Sequence, residues 1–206
     1  RIARETMEIF APLANRLGIY TIRRELEDLA LSYLEPDKYA EISNLLREDQ
    51  QDQQTYITQA IQFLRERLAE EQIFPIEMVG RPKHIYSIYN KMIRKGRDFD
   101  QIYDIRAIRV IVPTERECYV VLGIVHGLWT PIPGEFDDYI ARPKENLYQS
   151  LHTAVIGPRG KPLEVQIRTP EMHHVAEFGI AAHWRYKENG ARDPAFEKKV
   201  NWVRQL

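Results

Sequence analysis

Two carboxylates and a local excess of cations are the parts of this chain whose types and spacing could do chemistry. Asp104, between Tyr103 and Ile105, stands where the β-branched run 105–112 begins. Glu164 lies inside L-E-V-Q-I-R. In a strand, Leu163, Val165 and Ile167 face one way there, and Glu164, Gln166 and Arg168 face the other. Carboxylates on neighbouring strands can hold Mg²⁺, a hard cation that takes oxygen ligands and completes its shell with substrate phosphates. Taken singly, each acid is also accounted for by the polar side of a half-exposed strand.

Residues 80–97 read G-R-P-K-H-I-Y-S-I-Y-N-K-M-I-R-K-G-R, without one acidic residue. Pro82 suits the first turn of a helix and Gly96 its C-terminal cap. Helical periodicity places Lys83, Ser87, Lys91 and Arg94 on one stripe, and Ile85, Ile88, Tyr89 and Met92 on the opposite, burying side. The stripe suits a polyphosphate or, equally, serves as a solvated basic face. A third stretch, P-K-E-N-L-Y-Q-S-L-H-T at 143–153, spaces Lys144, Tyr148 and His152 by four. An aromatic plane beside a cation and an imidazole suits stacking on a base with phosphates nearby; a tyrosine packed at a loop edge gives the same spacing. His173 and His174 are adjacent and cannot share a helical face with each other, which disfavours a zinc site with His183. No glycine-rich phosphate loop, G-x-S-x-G or H-E-x-x-H motif occurs, so a serine or cysteine nucleophile has no support.

These residues need elements to position them. Residues 1–71 read as helices: one ending at Gly18, one from Thr21 to Leu34, one from Pro36, and an amphipathic helix after the Gln-rich start near Asp49. Strand composition begins at Ile73 and runs into the basic helix, followed by the strand at 105–112, which Pro113 stops. Thr114 with Glu117 makes a capping box for a helix to about Leu128. Pro131, Pro133 and Gly134 mark a loop, with a short strand at 138–140. Strands at 151–156 and 163–168 flank the turn G-P-R-G, and Pro170 opens a helix to about 187. The tail restarts as helix from Pro194. The order predicts an α+β fold with a mixed sheet.

Of the 206 residues, 44% are hydrophobic and 29% charged, with a net charge of −1. A sizeable core can form, and no global positive field points to bulk nucleic-acid binding. The single cysteine, Cys118, excludes an internal disulfide and any Cys-based zinc site, and fits a reducing cytosol. No apolar run approaches the roughly 18 residues of a membrane span. The chain opens at Arg1, within what reads as helix, and is expected to be a piece of something longer.

The runs G-R-P-K-H-I-Y-S-I-Y-N-K-M, Y-D-I-R-A-I-R-V, E-F-D-D-Y-I-A-R-P-K-E-N-L-Y-Q-S-L-H-T and L-E-V-Q-I-R-T-P-E-M-H-H-V-A-E-F-G-I-A-A-H-W-R-Y-K resemble the synthetase domain of the long RelA/SpoT homologues, alarmone enzymes of the bacterial stringent response. The earlier A-P-L-A-N-R-L-G-I resembles the passage from the family's hydrolase domain. The resemblance implies a nucleotidyltransferase-like mixed sheet flanked by helices, with a helical segment at 1–71, a synthetase core at 72–190 and a C-terminal helix at 191–206. It implies Mg²⁺-dependent transfer of pyrophosphate from ATP to the 3′-hydroxyl of GDP or GTP, in the cytoplasm. By that likeness Asp104 and Glu164 are the Mg²⁺ carboxylates, with Glu164 also the base. Arg81 and Arg109 flank adenine, and Lys83, Ser87 and Lys91 hold ATP phosphates. Tyr148 stacks on the acceptor guanine, and Lys144, Asn146, His152, Gln166 and His173 make its other contacts. In a straight strand Asp104 and Arg109, five apart, face opposite sides, so both serve one site only if the chain bends. The acidic E-F-D-D loop resembles synthetase-only RelA proteins, where bifunctional ones carry R-x-K-D, and hints at GDP as acceptor. With no His-Asp dipeptide, the hydrolase is not in this piece; ribosome and tRNA contacts would belong to missing C-terminal regions. The alternative is a catalytically silent guanine-nucleotide-binding regulatory domain.

Overall fold

The computed structural model describes residues 1–48, 50–81, 83–96, 98–99, 102 and 105–179. The chain opens with α1 (Ile2–Glu5), a π-helical turn (Thr6–Phe10) and α2 (Ala11–Arg16). Gly18 then adopts φ 74°. Helices α3 (Tyr20–Leu34), α4 (Pro36–Glu48) and α5 (Gln50–Glu70) precede β1 (Glu77–Gly80) and α6 (Ile85–Lys95). Then come β2 (Ala107–Ile111), α7 (Glu115–Leu128), β3 (Thr130–Asp138), β4 (Leu151–Ile156), a 3₁₀ turn (Pro158–Gly160), β5 (Pro162–Arg168) and α8 (Pro170–Phe178). The strands form one sheet in the order β1-β2-β5-β4-β3, antiparallel except for the parallel β2–β5 pair. This is the expected α+β fold with a mixed sheet.

The alternation of each strand sorts the two faces. Ile108, Val110, Leu151, Val155, Leu163, Val165 and Ile167 bury on one face against Tyr56, Ala60, Leu64 and Leu68 of α5 and Cys118, Val121 and Val125 of α7. The core thus runs across residue 71, the expected boundary between helical segment and synthetase core, and α5 together with α7 covers this face of the sheet. The opposite face carries Arg109, Glu164, Gln166, Arg168 and His152. A second cluster packs the apolar side of α6, through Ile88, Ile85, Tyr89 and Met92, against Ile42 and Leu46 of α4 and Ile102 and Ile105.

Local chemistry fixes the ends of the helices. Thr114 and Glu117 form the expected capping box on α7. Thr169 accepts from the Met172 N–H, with Pro170 at the start of α8. Gly96 ends α6 in the left-handed region at φ 59°. The start of α6 is different. His84 supplies no cap from its side chain; instead Asp28 of α3 accepts the Tyr86 N–H at 2.7 Å and lies 3.2 Å from His84 Nδ1.

Two expectations are corrected. The helix begins at Ile85 rather than near Gly80, because the Arg81 N–H donates to the Ala107 carbonyl at 2.8 Å and continues the β1–β2 ladder. Arg81 and Lys83 therefore precede the helix, and the stripe on it is Ser87, Lys91 and Arg94. Residues 131–134 are not a loop but part of β3. This strand lies at the sheet edge, where proline's missing N–H costs no ladder bond. The register shift between Pro131 and Phe136 and the φ of 79° at Gly134 absorb the irregularity. The expected extension of α8 to about 187 and the helix from 194 lie outside the described residues.

Candidate functional site

The polar face is built by register. Arg109 pairs with Gln166, Gln166 with His152, and His152 with Asp137, giving one row across four strands. In the adjacent row Glu164 sits between Ala107 and Ala154, so no bulky neighbour on β2 or β4 covers its carboxylate. Glu164 Oε1 accepts from Gln166 Nε2 at 3.0 Å and from His152 Nδ1 at 3.1 Å. A carboxylate only accepts, which assigns the proton to Nδ1 and leaves Nε2 to accept from the Tyr148 hydroxyl at 2.7 Å. Burial pushes the Glu164 carboxyl up. The hydrogen bond from His152, with the charges of Lys83 and Arg81, outweighs it and holds the group well below the usual carboxylate range.

On the β1 side the site is cationic. Burial, with the charges of Lys91 and Arg81, pulls Lys83 down to about 7 against the opposing pull of Glu164. Ser87 and Lys91 follow on α6 one turn apart. Arg109 and Arg168 converge on Glu177 of α8, at 3.4 and 3.2 Å, and Thr21 of α3 donates to the same carboxylate at 3.2 Å. Burial raises the Glu177 carboxyl, but the two guanidinium groups lower it further than burial lifts it. The buried Nε atoms of Arg81, Arg109 and Arg168 have no hydrogen-bond partner among the described residues. A face with unspent guanidinium donors suits an anion.

On the β4 side the aromatic residues gather. Tyr148 is 8% exposed. Edges of Tyr20, Tyr139 and His152 surround its ring at 5.3, 6.1 and 5.7 Å, and the Lys144 ammonium stands 5.4 Å from its centroid. The ring expected to stack on a base is therefore enclosed in this state. Asn146 Nδ2 donates to the Asn15 carbonyl at 3.0 Å and contacts the Tyr20 hydroxyl at 2.7 Å, tying the loop to the N-terminal helices. Beside it opens a cavity of about 750 Å³, walled by Asn15, Arg16, Tyr20 and Arg23 from α2–α3 and by Tyr139 and the 142–146 loop.

The structure thus brings together Glu164, Gln166, His152, Tyr148, Lys144 and Asn146 on one side, and Arg81, Lys83, Ser87, Lys91 and Arg109 on the other. His173 departs from its expected place among the acceptor contacts. Its Nδ1 accepts from Arg168 Nη2 at 2.6 Å, on the Arg109 and Glu177 side, because α8 leaves the end of β5 toward α3 rather than toward β4. Asp104 lies outside the described residues. Among the described residues no three His, Cys, Asp or Glu gather to hold a metal, and no helix is long and apolar enough to cross a membrane.

Sequence reasoning missed Glu177, Tyr139 and Tyr20. The His173–Glu177 spacing of four on one helix was a usable signal for the first. Tyr20 has no local signal, since its partner Asn146 is 126 residues away.

A family model described as a region found in RelA/SpoT proteins matches residues 80–191. The chain is 54% identical over its whole length to a probable guanosine-3′,5′-bis(diphosphate) 3′-pyrophosphohydrolase of Synechocystis sp., covering 28% of that protein. It is 51% identical, again over its whole length, to a GTP pyrophosphokinase of Myxococcus xanthus, covering 27% of it. The chain therefore spans little more than a quarter of the relatives it matches. Its fold is similar to the crystal structure of small alarmone synthetase 1 from Bacillus subtilis, with a TM-score of 0.54 and 24% identity over 78% of this chain and 87% of that one.

Proposed function

The chain belongs to the RelA/SpoT family, and from that premise we propose that it transfers the β,γ-pyrophosphate of ATP to the 3′-hydroxyl of GDP or GTP, giving ppGpp or pppGpp and AMP. The observation that carries this reading is Glu164. It is an ionised carboxylate on an uncrowded strand position, with cations on its β1 side and an imidazole–tyrosine pair on its β4 side. The 3′-oxygen attacks the β-phosphorus while the bond to the α-phosphate oxygen breaks, and AMP carries away the charge of the leaving oxygen. Such a transfer needs charge neutralisation and in-line placement more than covalent help. Lys83, Lys91 and Arg81 provide the neutralisation, and Arg109 with Arg81 the placement of the adenine end.

The Glu164 oxygen not engaged by His152 and Gln166 is left to meet the acceptor hydroxyl or a metal. A carboxylate held in its ionised form is a weak base, which suits a loose transition state in which the hydroxyl gives up its proton late. The donor set fits Mg²⁺, which needs one or two carboxylates and otherwise takes water and phosphate oxygens. Glu164, with Asp104, would hold the ion, and it would supply neutralisation of the phosphate charge. The GTP pyrophosphokinase name of the Myxococcus xanthus relative supports the reading. A cytoplasmic location follows from these substrates, and any ribosome or tRNA contact would belong to regions outside this chain.

The test is to incubate the chain with ATP, GDP and Mg²⁺ and to resolve AMP and ppGpp by anion exchange. Turnover that survives Glu164→Ala would sink the assignment. Guanine-nucleotide binding with no AMP release from the parent chain would make it a silent regulatory domain instead.

A further inference from the structure

The cavity beside Lys144 is built in part from outside the segment that the family model matches. Asn15, Arg16, Tyr20 and Arg23 come from α2–α3, ahead of residue 80. Two of its arginines differ in their engagement. Arg23 is tied down, with Nε on Glu27 and Nη1 on Asn15 Oδ1, both at 2.8 Å. Arg16 is exposed and makes no side-chain hydrogen bond or ion pair among the described residues, and the same holds for Arg142 across the cavity. Lys144 adds a further cation, its ammonium 4.1 Å from the Tyr139 ring centroid. Glu145 is the acidic residue of the lining.

A chain of side-chain contacts links the wall of the cavity to the reacting end of the site. Glu164 touches His152 at 3.1 Å, the His152 ring lies 5.4 Å from Tyr139, and Tyr139 lines the cavity beneath Lys144. A nucleotide whose 3′-hydroxyl is at Glu164 has its 5′-oxygen leaving the far side of the sugar. Its 5′-phosphates must then point away from Glu164. They cannot follow the Arg81, Lys83 and Lys91 side, which the donor triphosphate occupies.

Resting on the transfer reading above, we infer that Arg16 and Arg142 bind the 5′-phosphates of the acceptor nucleotide, so that α2–α3 forms the outer wall of the acceptor site. Arg23, held by Glu27 and Asn15, buttresses Tyr20 and the Asn146 loop. Two unpaired guanidinium groups on opposite walls suit a di- or triphosphate, each able to make charge-assisted bonds to separate oxygens. The number of phosphates on the acceptor is then sensed here rather than at the base.

Guanosine, GDP and GTP are titrated by calorimetry into the parent chain, Arg16→Gln, Arg142→Gln and, as a control for surface charge, Arg65→Gln on α5. Initial rates give KM for GDP and for ATP. Each site variant weakens GDP and GTP about tenfold, GTP the more, and leaves guanosine binding and the ATP KM unchanged; Arg65→Gln changes none of them. Unchanged GDP and GTP affinity in both site variants overturns the inference, as does an equal loss of guanosine. A parent chain that turns over while the variants keep its acceptor KM removes this inference alone. A parent chain that neither binds GDP nor releases AMP removes the transfer reading and this inference with it.

Discussion

His152 donates from Nδ1 to Glu164 Oε1 at 3.1 Å while its Nε2 accepts from Tyr148. The imidazole thereby aims the carboxylate and fixes which oxygen remains available. Removing it leaves the carboxylate in place but held by Gln166 alone. We expect His152→Ala to lower kcat about 10- to 100-fold, the range typical of partners that orient a reacting or metal-holding group. Glu164→Ala, by contrast, abolishes detectable AMP release. Tyr148→Phe, which deletes only the hydroxyl, falls between the parent chain and His152→Ala. Steady-state rates at saturating ATP and GDP order the three; a His152→Ala rate equal to the parent's would show that the orientation contributes nothing.

Glu177 gives the protein an acid-sensitive clasp between α8, β2 and β5. Its carboxyl is lowered in the fold, with burial opposing and Arg109 and Arg168 prevailing. A depressed carboxylate contributes stability that is fully present above its unfolded pKa of about 4.5 and is lost as pH falls through the lower folded value. Glu177→Gln leaves the guanidinium of Arg168, 2% exposed, without its anion. The cost at pH 7 is about 1–3 kcal/mol. Urea melts should show this difference shrinking as pH drops below 4.5. A gap that stays constant to pH 3 would mean that the carboxylate's charge is not what holds the clasp.

The sequence made most of this fold legible because the signals were local. Gly96 at a helix end and Thr114–Glu117 at a helix start are one-turn patterns, and the period-two alternation of Leu163 to Arg168 placed Glu164 on the polar face without any knowledge of its neighbours. Two readings failed where a tertiary fact overrode a local one. Pro131 and Pro133 signal a loop unless the strand is at an edge, and edge position is a property of sheet order. Lys83 fits a helical stripe by counting, yet the Arg81 N–H is committed to the β1–β2 ladder, which delays the helix to Ile85. Arg109 lies on the same face as Gln166 and Glu164. What the sequence could not show is that α2–α3 walls the site, since those contacts join residues more than a hundred apart.

Asp28 links that N-terminal wall to the donor side. Its carboxylate accepts the Tyr86 N–H at 2.7 Å and so serves as the cap that His84 does not provide. Asp28→Ala is expected to cost about 1 kcal/mol. It should also raise the KM for ATP more than that for GDP, because α6 carries Ser87 and Lys91. Asp28→Asn keeps an acceptor but loses the charge favoured at a helix N-terminus, and should lie between the two. Equal effects on both KM values would make Asp28 a stability residue only.

The β4–β5 hairpin is seated on α5 by a buried hydroxyl, beside bonds from Arg159 and Lys161 to Asp52 and from Arg159 to Gln59. Tyr56, fully buried, donates to the Lys161 carbonyl at 2.9 Å, and the Gly157 N–H donates to that same carbonyl at 2.9 Å. A Cβ at Gly157 would collide with the Tyr56 hydroxyl and meet Leu163 Cβ at 3.1 Å. Gly157→Ala must therefore displace either the hairpin or the tyrosine, at about 1–3 kcal/mol. Tyr56→Phe alone costs about 1 kcal/mol for the lost hydrogen bond, while the Lys161 carbonyl keeps its backbone donor. In the double variant the colliding oxygen is gone, so the combined loss should be smaller than the sum by about 1 kcal/mol. Chemical denaturation of the four proteins closes the cycle. Strict additivity would place the strain of Gly157→Ala in Leu163 instead of Tyr56.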